Sequence, residues 1–362
     1  MVSSAGKKVL IAAGKTGGHM FPAFALGESL SERGCEVVFV TGGSKIENII
    51  LQGKNLKTIP LPAPRLKGMG FWQQASGVAR LPGILLKALS IVRKEAPAIV
   101  IGFGGAAAGP IVLAGKILGK RTAICEQNAV LGFTNSVLAP LVDKVFLGVE
   151  NTKGRHGSGR FEVVGTPVRK EILAIKPKQY STQARRVLVT GGSQGALFLN
   201  THVPDVLGSV AKDIQGIEVI HQTGVGNAKG VQQRYDALGV NARCMEFISD
   251  MAQAYDWAEF IVARAGASTI AEITAIGIPA LLIPFARASD NHQVHNAKVL
   301  VEAGASLMCE EKDFVVESVA SALSAVLADK NKLEEMASAS RKLGKRDALE
   351  RLTTRVFELL ER

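Results

Sequence analysis

The sequence predicts an α/β protein made of two doubly wound domains. Short β-branched apolar runs alternate with helix-length amphipathic segments along the whole chain, the pattern of parallel sheets with helices on both faces. The alternation restarts near residue 186 with the grammar of the N-terminus: KKVLIAAGKTGGH at 7–19 and RRVLVTGGSQGA at 185–196 each run from a basic pair through a strand and a glycine loop into a helix. The length, 362 residues, is long for one such sheet and sufficient for two cores. Two copies are too few for a solenoid.

In the first half the expected strands are Lys8–Ala13, Glu36–Thr41, Thr58–Leu61, Ile99–Gly102, Thr122–Glu126, Lys144–Leu147 and Phe161–Val164. The join falls at 165–186, GTPVRKEILAIKPKQYSTQARR, a stretch rich in Pro, Lys and polar groups. Beyond it the expected strands are Val187–Thr190, Glu218–Gln222, Arg243–Phe247, Phe260–Ala263, Ala280–Ile283 and Ala305–Met308. The uncharged segment from Ala96 to Gly115 has the hydropathy of a membrane span. Its Gly102, Gly104, Gly105, Gly109 and Pro110 read instead as strand, glycine turn and small-residue helix. Ligands of open α/β sheets bind beyond the carboxyl ends of the strands, so the glycine loops of both halves are expected to line a cleft between them.

Hydrophobic residues make up 47% and charged residues 21%, a globular composition and not a disordered one. Cys35, Cys125, Cys244 and Cys309 have neither metal-finger nor CxxC spacing and fit a reduced interior. The N-terminus lacks the apolar region of a signal peptide. All of the net charge of +11 sits in residues 1–168, with 20 Lys+Arg against 9 Asp+Glu. Between Glu47 and Glu95 there is no acid, against Lys54, Lys57, Arg65, Lys67, Arg80, Lys87, Arg93 and Lys94. The first half therefore expects an anionic partner: nucleic acid, a membrane surface or a phosphorylated substrate.

The glycine loops carry the chemistry. GKTGGH matches neither the dinucleotide fingerprint nor the P-loop. It reads as a phosphate cradle at a helix N-terminus or as a tight turn without a ligand. GFGGAAAGP at 102–110 contains GxGxxA; it reads as an NAD site or as close helix–sheet packing through small residues. GGSQG at 191–195 is literally GxSxG, which admits a hydrolase with Ser193 as nucleophile and Asp290 and His292 as partners; the same turn binds phosphate through Ser193 and its neighbouring N–H groups. In RAGASTIAEI, Thr269-x-x-Glu272 is a capping box, or Glu272 is a carboxylate that accepts ribose hydroxyls beside a pyrophosphate on the helix N-terminus. ASDNHQVHN at 288–296 reads as a polar helix start and not as a metal site, and no Asp-x-Asp pair occurs.

Taken together, GKTGGHMFPA, GFGGAAAGP, EQNAVLGFTN, GTPVR, GGSQGA, HQTG, EFISDM, RAGASTIAEI and IPFARASDNHQVHN, in this order and at these separations, resemble the MurG family, the UDP-N-acetylglucosamine transferases of peptidoglycan synthesis. The resemblance runs from about Lys7 to the last helix. It implies a GT-B fold: two Rossmann-like doubly wound domains facing across a cleft, an acceptor- and membrane-binding domain over 1–166 and a donor domain over 167–344, with the helix at about 345–362 packing back onto the first. It implies inverting transfer of N-acetylglucosamine from UDP to the 4-hydroxyl of MurNAc in lipid I, giving lipid II, without cofactor or metal.

By matching motif positions, Ser193 and Arg169 are expected near the diphosphate, with Ala267, Ser268, Thr269, Ile270 and Ala271 beside it. The backbone of Ile248 is expected at the uracil edge and Glu272 at the ribose. Gln293 and Asn128 are expected at the sugar, with Thr16, Gly17 and Gly18 nearby. The candidates for the catalytic base are His19, whose ordinary pKa lies near working pH, and Glu126. Position 15, glycine in the family, is Lys15 here. The implied partners are UDP-N-acetylglucosamine, lipid I, the anionic inner-membrane surface reached peripherally from the cytoplasmic side, and other cell-wall synthesis proteins. A diacylglycerol glycosyltransferase is the rival within the fold class. Nucleic-acid binding lacks interleaved aromatics, which make up 5%. Phe71 and Trp72 are expected in a loop after Gly68 and Gly70, placed to insert at headgroup depth.

Overall fold

A computed structural model of the chain describes residues 6–14, 17–43, 47, 56–64, 71–155, 159–180, 183–192, 194–288 and 291–361, with the backbone alone for 71–78. The chain divides into two compact units, Met1–Val168 with Asp347–Arg362, and Arg169–Arg346.

The first unit holds a parallel sheet of seven strands: β1 (Lys8–Ala12), β2 (Glu36–Thr41), β3 (Lys57–Pro60), β4 (Ile99–Gly102), β5 (Arg121–Glu126), β6 (Lys144–Leu147) and β7 (Phe161–Val163), in the order β3-β2-β1-β4-β5-β6-β7. Its helices are α1 (Gly17–Glu32), α2 (Phe71–Glu95), α3 (Ala108–Ile117), α4 (Phe133–Leu138) and the C-terminal helix Ala348–Glu361. The central strand β1 is apolar at every buried position because both its faces are covered. Val9 and Ile11 pack on the α1 side with Leu352, Val356, Leu359 and Leu360 of the C-terminal helix. Leu10 and Ala12 pack on the opposite side with Ile84, Ala88 and Val92 of α2 and Ile111 and Val112 of α3.

The second unit holds a parallel sheet of six strands: β8 (Arg186–Thr190), β9 (Glu218–Gln222), β10 (Asn241–Met245), β11 (Phe260–Ala263), β12 (Ala280–Leu282) and β13 (Ser306–Met308), in the order β10-β9-β8-β11-β12-β13. Its helices are a short α5 (Lys170–Leu173), then α6 (Leu197–Asp213), α7 (Ala228–Ala237), α8 (Met251–Trp257), α9 (Ala267–Ile276), α10 (His292–Glu302), α11 (Val316–Ala328) and α12 (Lys330–Leu343).

In each sheet the strand order reverses once, between β1 and β4 and between β8 and β11. These are the topological switch points at which doubly wound folds open their binding crevice. The loops that leave the four strands are GKTGGH, GFGG, GGSQG and RAG.

All thirteen expected strands have counterparts. The expected strand at 243–247 lies two residues earlier, because Asn241 to Met245 pair in register with Glu218 to Gln222; Phe247 lies beyond the strand and is 52% exposed. Phe71 and Trp72 do not lie in a loop: they open α2. Among the described residues no helix is long and apolar enough to cross a membrane.

Candidate active site

In the first unit, two glycine loops meet at a histidine. Gly17, Gly18 and His19 are the first three residues of the sixteen-residue α1, the end that carries the positive half of the helix macrodipole. His19 is partly buried, and its Nδ1 lies 3.2 Å from the Gly14 carbonyl oxygen. A carbonyl only accepts, so Nδ1 carries a proton. The ring lies on Gly104, where a Cβ would come within 2.9 Å of Nε2, and Gly104 has φ +97°. A Cβ on Gly105 would meet the Gly14 oxygen at 3.0 Å. Gly102, and Gly115 further along α3, serve close helix–sheet packing: a Cβ on Gly102 would meet Val112 at 2.8 Å, and one on Gly115 would meet Val100 at 2.8 Å.

Glu126, the other candidate base, ends β5 and is 3% exposed. Its Oε1 accepts the Asn128 backbone N–H at 3.0 Å and the Asn128 side-chain amide at 2.8 Å. Its Oε2 accepts the Gly132 N–H at 2.9 Å and the Asn135 side-chain amide at 2.8 Å. Four donors fill the roughly four lone-pair positions of a carboxylate, so Glu126 pins the segment from 126 to 135 and leaves no acceptor for a substrate proton.

In the second unit the GGSQG and HQTG loops interlock backbone to backbone. A Cβ on Gly195 would lie 2.0 Å from the Thr223 oxygen, and one on Gly224 would lie 2.2 Å from the Gln194 oxygen. Both glycines have positive φ, +70° and +82°, so this approach requires glycine twice over. Asn200 in α6 donates to the Thr223 carbonyl at 2.8 Å, and Thr190 Oγ1 accepts the Gly192 N–H at 3.1 Å.

Glu272 is not a cap. The N-cap of α9 is Gly266, in extended conformation, and Gly277 closes the helix with φ +68°. Thr269 is therefore the third helical residue and Glu272 the sixth, a full turn too late for a capping box. Glu272 is 8% exposed. Its Oε1 accepts from Arg169 Nη2 at 2.8 Å and Nε at 3.2 Å, and its Oε2 accepts from the Tyr255 hydroxyl at 2.9 Å. Burial works to lower the pKa of Arg169, but the charge and hydrogen bond of Glu272 raise it above the ordinary value. Burial, then Glu272, hold Tyr255 well above the ordinary phenol range.

Ala267, Ser268, Thr269, Ile270 and Ala271 form the partly buried N-terminal part of α9. Ile248 lies between β10 and α8 with its side chain buried; among the described residues nothing takes its backbone N–H or C=O. Asp250 caps α8, accepting the Gln253 N–H at 2.9 Å. Gln293 in the first turn of α10 accepts the Phe285 N–H at 2.9 Å through Oε1, so its NH₂ group is the part left for a ligand. Thr16, Ser193, Lys15 and Asp290 lie outside the described residues.

Two buried residues that hold these candidates carry little signal in the sequence. Tyr255 lies in an ordinary amphipathic helix. Arg264, 7% exposed at the end of β11, donates through Nη1 to the carbonyls of Ile283 at 3.0 Å and Pro284 at 3.2 Å, and its Nη2 lies 2.6 Å from Glu311. It thereby ties down the loop from which Gln293 receives its N–H donor. Only the RAG tripeptide after a strand could have flagged it.

The chain matches the glycosyltransferase family 28 N-terminal domain over residues 9–147 and the C-terminal domain of the same family over residues 186–352. It is similar over nearly its whole length to proteins named UDP-N-acetylglucosamine–N-acetylmuramyl-(pentapeptide) pyrophosphoryl-undecaprenol N-acetylglucosamine transferase. The one from Syntrophus aciditrophicus is 38% identical, covering 93% of this chain and 94% of the relative; the one from Anaeromyxobacter sp. is 39% identical, covering 98% and 94%. The crystal structure of Acinetobacter baumannii MurG superposes with a TM-score of 0.78 at 29% identity, covering 97% of this chain and 99% of that one. The kitacinnamycin glycotransferase, with a TM-score of 0.75 at 15% identity over 98% of this chain and 99% of that one, shares the fold. With both domain models in order and full-length relatives above 30% identity, this chain belongs to glycosyltransferase family 28 and, within it, to the MurG transferases.

Proposed function

We infer that the protein moves N-acetylglucosamine from UDP to the 4-hydroxyl of MurNAc in lipid I with inversion, giving lipid II. The observation that carries this reading is the match across both domains to full-length relatives bearing that transferase's name.

In the donor site, Glu272 accepts from the ribose and the backbone of Ile248 pairs with the uracil edge. The N-terminal turn from Ala267 to Ala271 takes the diphosphate with Ser193. A helix N-terminus contributes roughly half a positive charge there. Gln293 and Asn128 bind the sugar, and Thr16, Gly17 and Gly18 are further candidates for it. Arg169 sits behind Glu272 and adds its charge to the same region.

His19 is the base. Its Nδ1–H is directed at the Gly14 carbonyl, and Nε2 is the nitrogen that serves as proton acceptor in this reading. Nε2 takes the proton of the acceptor hydroxyl, the oxygen forms the new bond to C1 of the sugar, and the C1–O bond to UDP breaks with its electron pair going to the β-phosphate. The charge on departing UDP is met by helix-end amides and needs no metal. Glu126, its oxygens occupied by four donors, holds the segment that carries Asn128. The membrane partner is an anionic surface met by the exposed basic face of α2, and other cell-wall synthesis proteins are candidate neighbours there.

The test is a transfer assay with radiolabelled UDP-N-acetylglucosamine, with and without a MurNAc-pyrophosphoryl lipid and with EDTA. Label entering the lipid only when that acceptor is present, undiminished by EDTA, is expected. Label entering diacylglycerol, or release of free sugar at the same rate without acceptor, overturns the reading.

A further inference from the structure

The two oxygens of the Glu272 carboxylate are held from two directions. Oε1 receives both Arg169 donors, and Oε2 receives the single donor of Tyr255. A carboxylate oxygen offers about two lone-pair positions, so Oε1 is filled and one position remains on Oε2. Arg169 alone, bonded to one oxygen, leaves the carboxylate able to swing about that oxygen. Tyr255 removes this freedom. It is 1% exposed and belongs to the core side of α8, so its hydroxyl is a fixed point. Burial and Glu272 keep it protonated far above neutral pH, so it remains a donor throughout the working range.

Resting on the placement of Glu272 at the donor ribose, we propose that Tyr255 is a positioning residue of the donor site: its hydroxyl fixes the Glu272 carboxylate so that the remaining acceptor position on Oε2 meets a ribose hydroxyl, and discrimination between ribo- and deoxyribonucleotides depends on it. Tyr255 acts through Glu272 and does not contact the nucleotide.

The experiment is calorimetric titration of UDP, 2′-deoxy-UDP and 3′-deoxy-UDP into the wild type, Glu272→Ala, Tyr255→Phe and, as a second donor-free side chain, Tyr255→Met, each checked by its melting curve. The wild type is expected to prefer UDP over at least one deoxy analogue by about tenfold or more, the range of a hydrogen bond to a charged group. Glu272→Ala is expected to bring that ratio to about one. Either tyrosine variant is expected to lower it by about three- to tenfold, through weaker UDP binding with the deoxy analogue unchanged, and to raise KM for the donor while kcat holds. If Glu272→Ala abolishes the preference but a folded tyrosine variant keeps it in full, whatever its melting temperature, Tyr255 is only a packing residue and the proposal fails. If Glu272→Ala itself leaves the preference intact, the ribose assignment of Glu272 fails, and with it the role of Tyr255.

Discussion

Removing the Glu272 carboxylate takes an acceptor from Arg169 and Tyr255 as well as from the donor sugar nucleotide. Glu272→Ala is therefore expected to raise KM for UDP-N-acetylglucosamine about tenfold to a hundredfold, the loss of a charge-assisted hydrogen bond of roughly 1.5–3 kcal/mol. The fold is expected to persist, because Arg169 is 29% exposed at its side chain and can turn to water. Normal donor kinetics with a lowered melting temperature would reduce Glu272 to a structural anchor. His19 makes the opposite kinetic signature. His19→Ala is expected to cut kcat by about 10² to 10⁴ with the donor Kd little changed, and weakened acceptor binding with kcat preserved would remove it from the base role. At this scale the sequence offers candidates for the chemistry and not what they touch. On spacing alone Thr269-x-x-Glu272 reads as a cap, and only the position of Gly266 at the start of the helix removes that reading. The sequence offers both His19 and Glu126 as the base and does not show the four donors on the Glu126 carboxylate or the carbonyl at His19 Nδ1. Tyr255 and Arg264 are invisible because their roles lie in partners far away in the chain.

Elements are legible where both faces are buried or where glycine is forced. β1 and β8 read as continuous apolar runs because they are buried on both faces, and the loops after them read as glycine-rich because backbone meets backbone there. β10 is misjudged by two residues because it is an edge strand with alternating exposure, so no apolar run marks its ends. The neighbouring β9 carries a testable consequence of its burial. His221 is fully buried, its Nδ1 lies 3.1 Å from the Tyr235 hydroxyl of α7, and among the described residues Nε2 has no partner. Burial lowers its pKa from 6.5 to about 3. Between those values the unfolded chain binds a proton that the folded chain refuses, so the stability present above pH 6.5 is lost as pH falls toward 3. The expected slope from this one group is up to about 1.4 kcal/mol per pH unit. Denaturant unfolding of the wild type and His221→Phe across that range checks it: the variant's stability is expected to fall less steeply, whatever its absolute value, and parallel curves would show that His221 is not the group responsible.

Charge is a property of the whole chain, and here all of the excess lies in residues 1–168. The lipid acceptor of the inferred reaction makes that asymmetry functional. In α2, Ile84, Ala88 and Val92 are buried against the first sheet, while Arg80, Lys87, Arg93 and Lys94 are exposed and Leu86 is 67% exposed. Arg80, Lys87 and Lys94 recur every seven residues, nearly two helical turns, so they form one stripe, with Leu86 and Arg93 on the stripe beside it. No acid interrupts them before Glu95, and that carboxylate is buried on Lys8 and Lys57. Each basic residue near an anionic surface contributes about 1 kcal/mol, falling off within a Debye length, and an apolar side chain between such residues adds insertion into the headgroup boundary. Binding to anionic vesicles is therefore expected, with affinity falling as salt rises. Charge reversal at Arg80 and Lys87 is expected to weaken it by about tenfold or more, and Leu86→Ser to weaken it by less and without changing the salt dependence. Co-sedimentation with vesicles containing phosphatidylglycerol, against vesicles of phosphatidylcholine alone, measures this. Equal binding to both compositions, or charge-reversed protein that sediments like the wild type, would show that this face of α2 is not what meets the membrane.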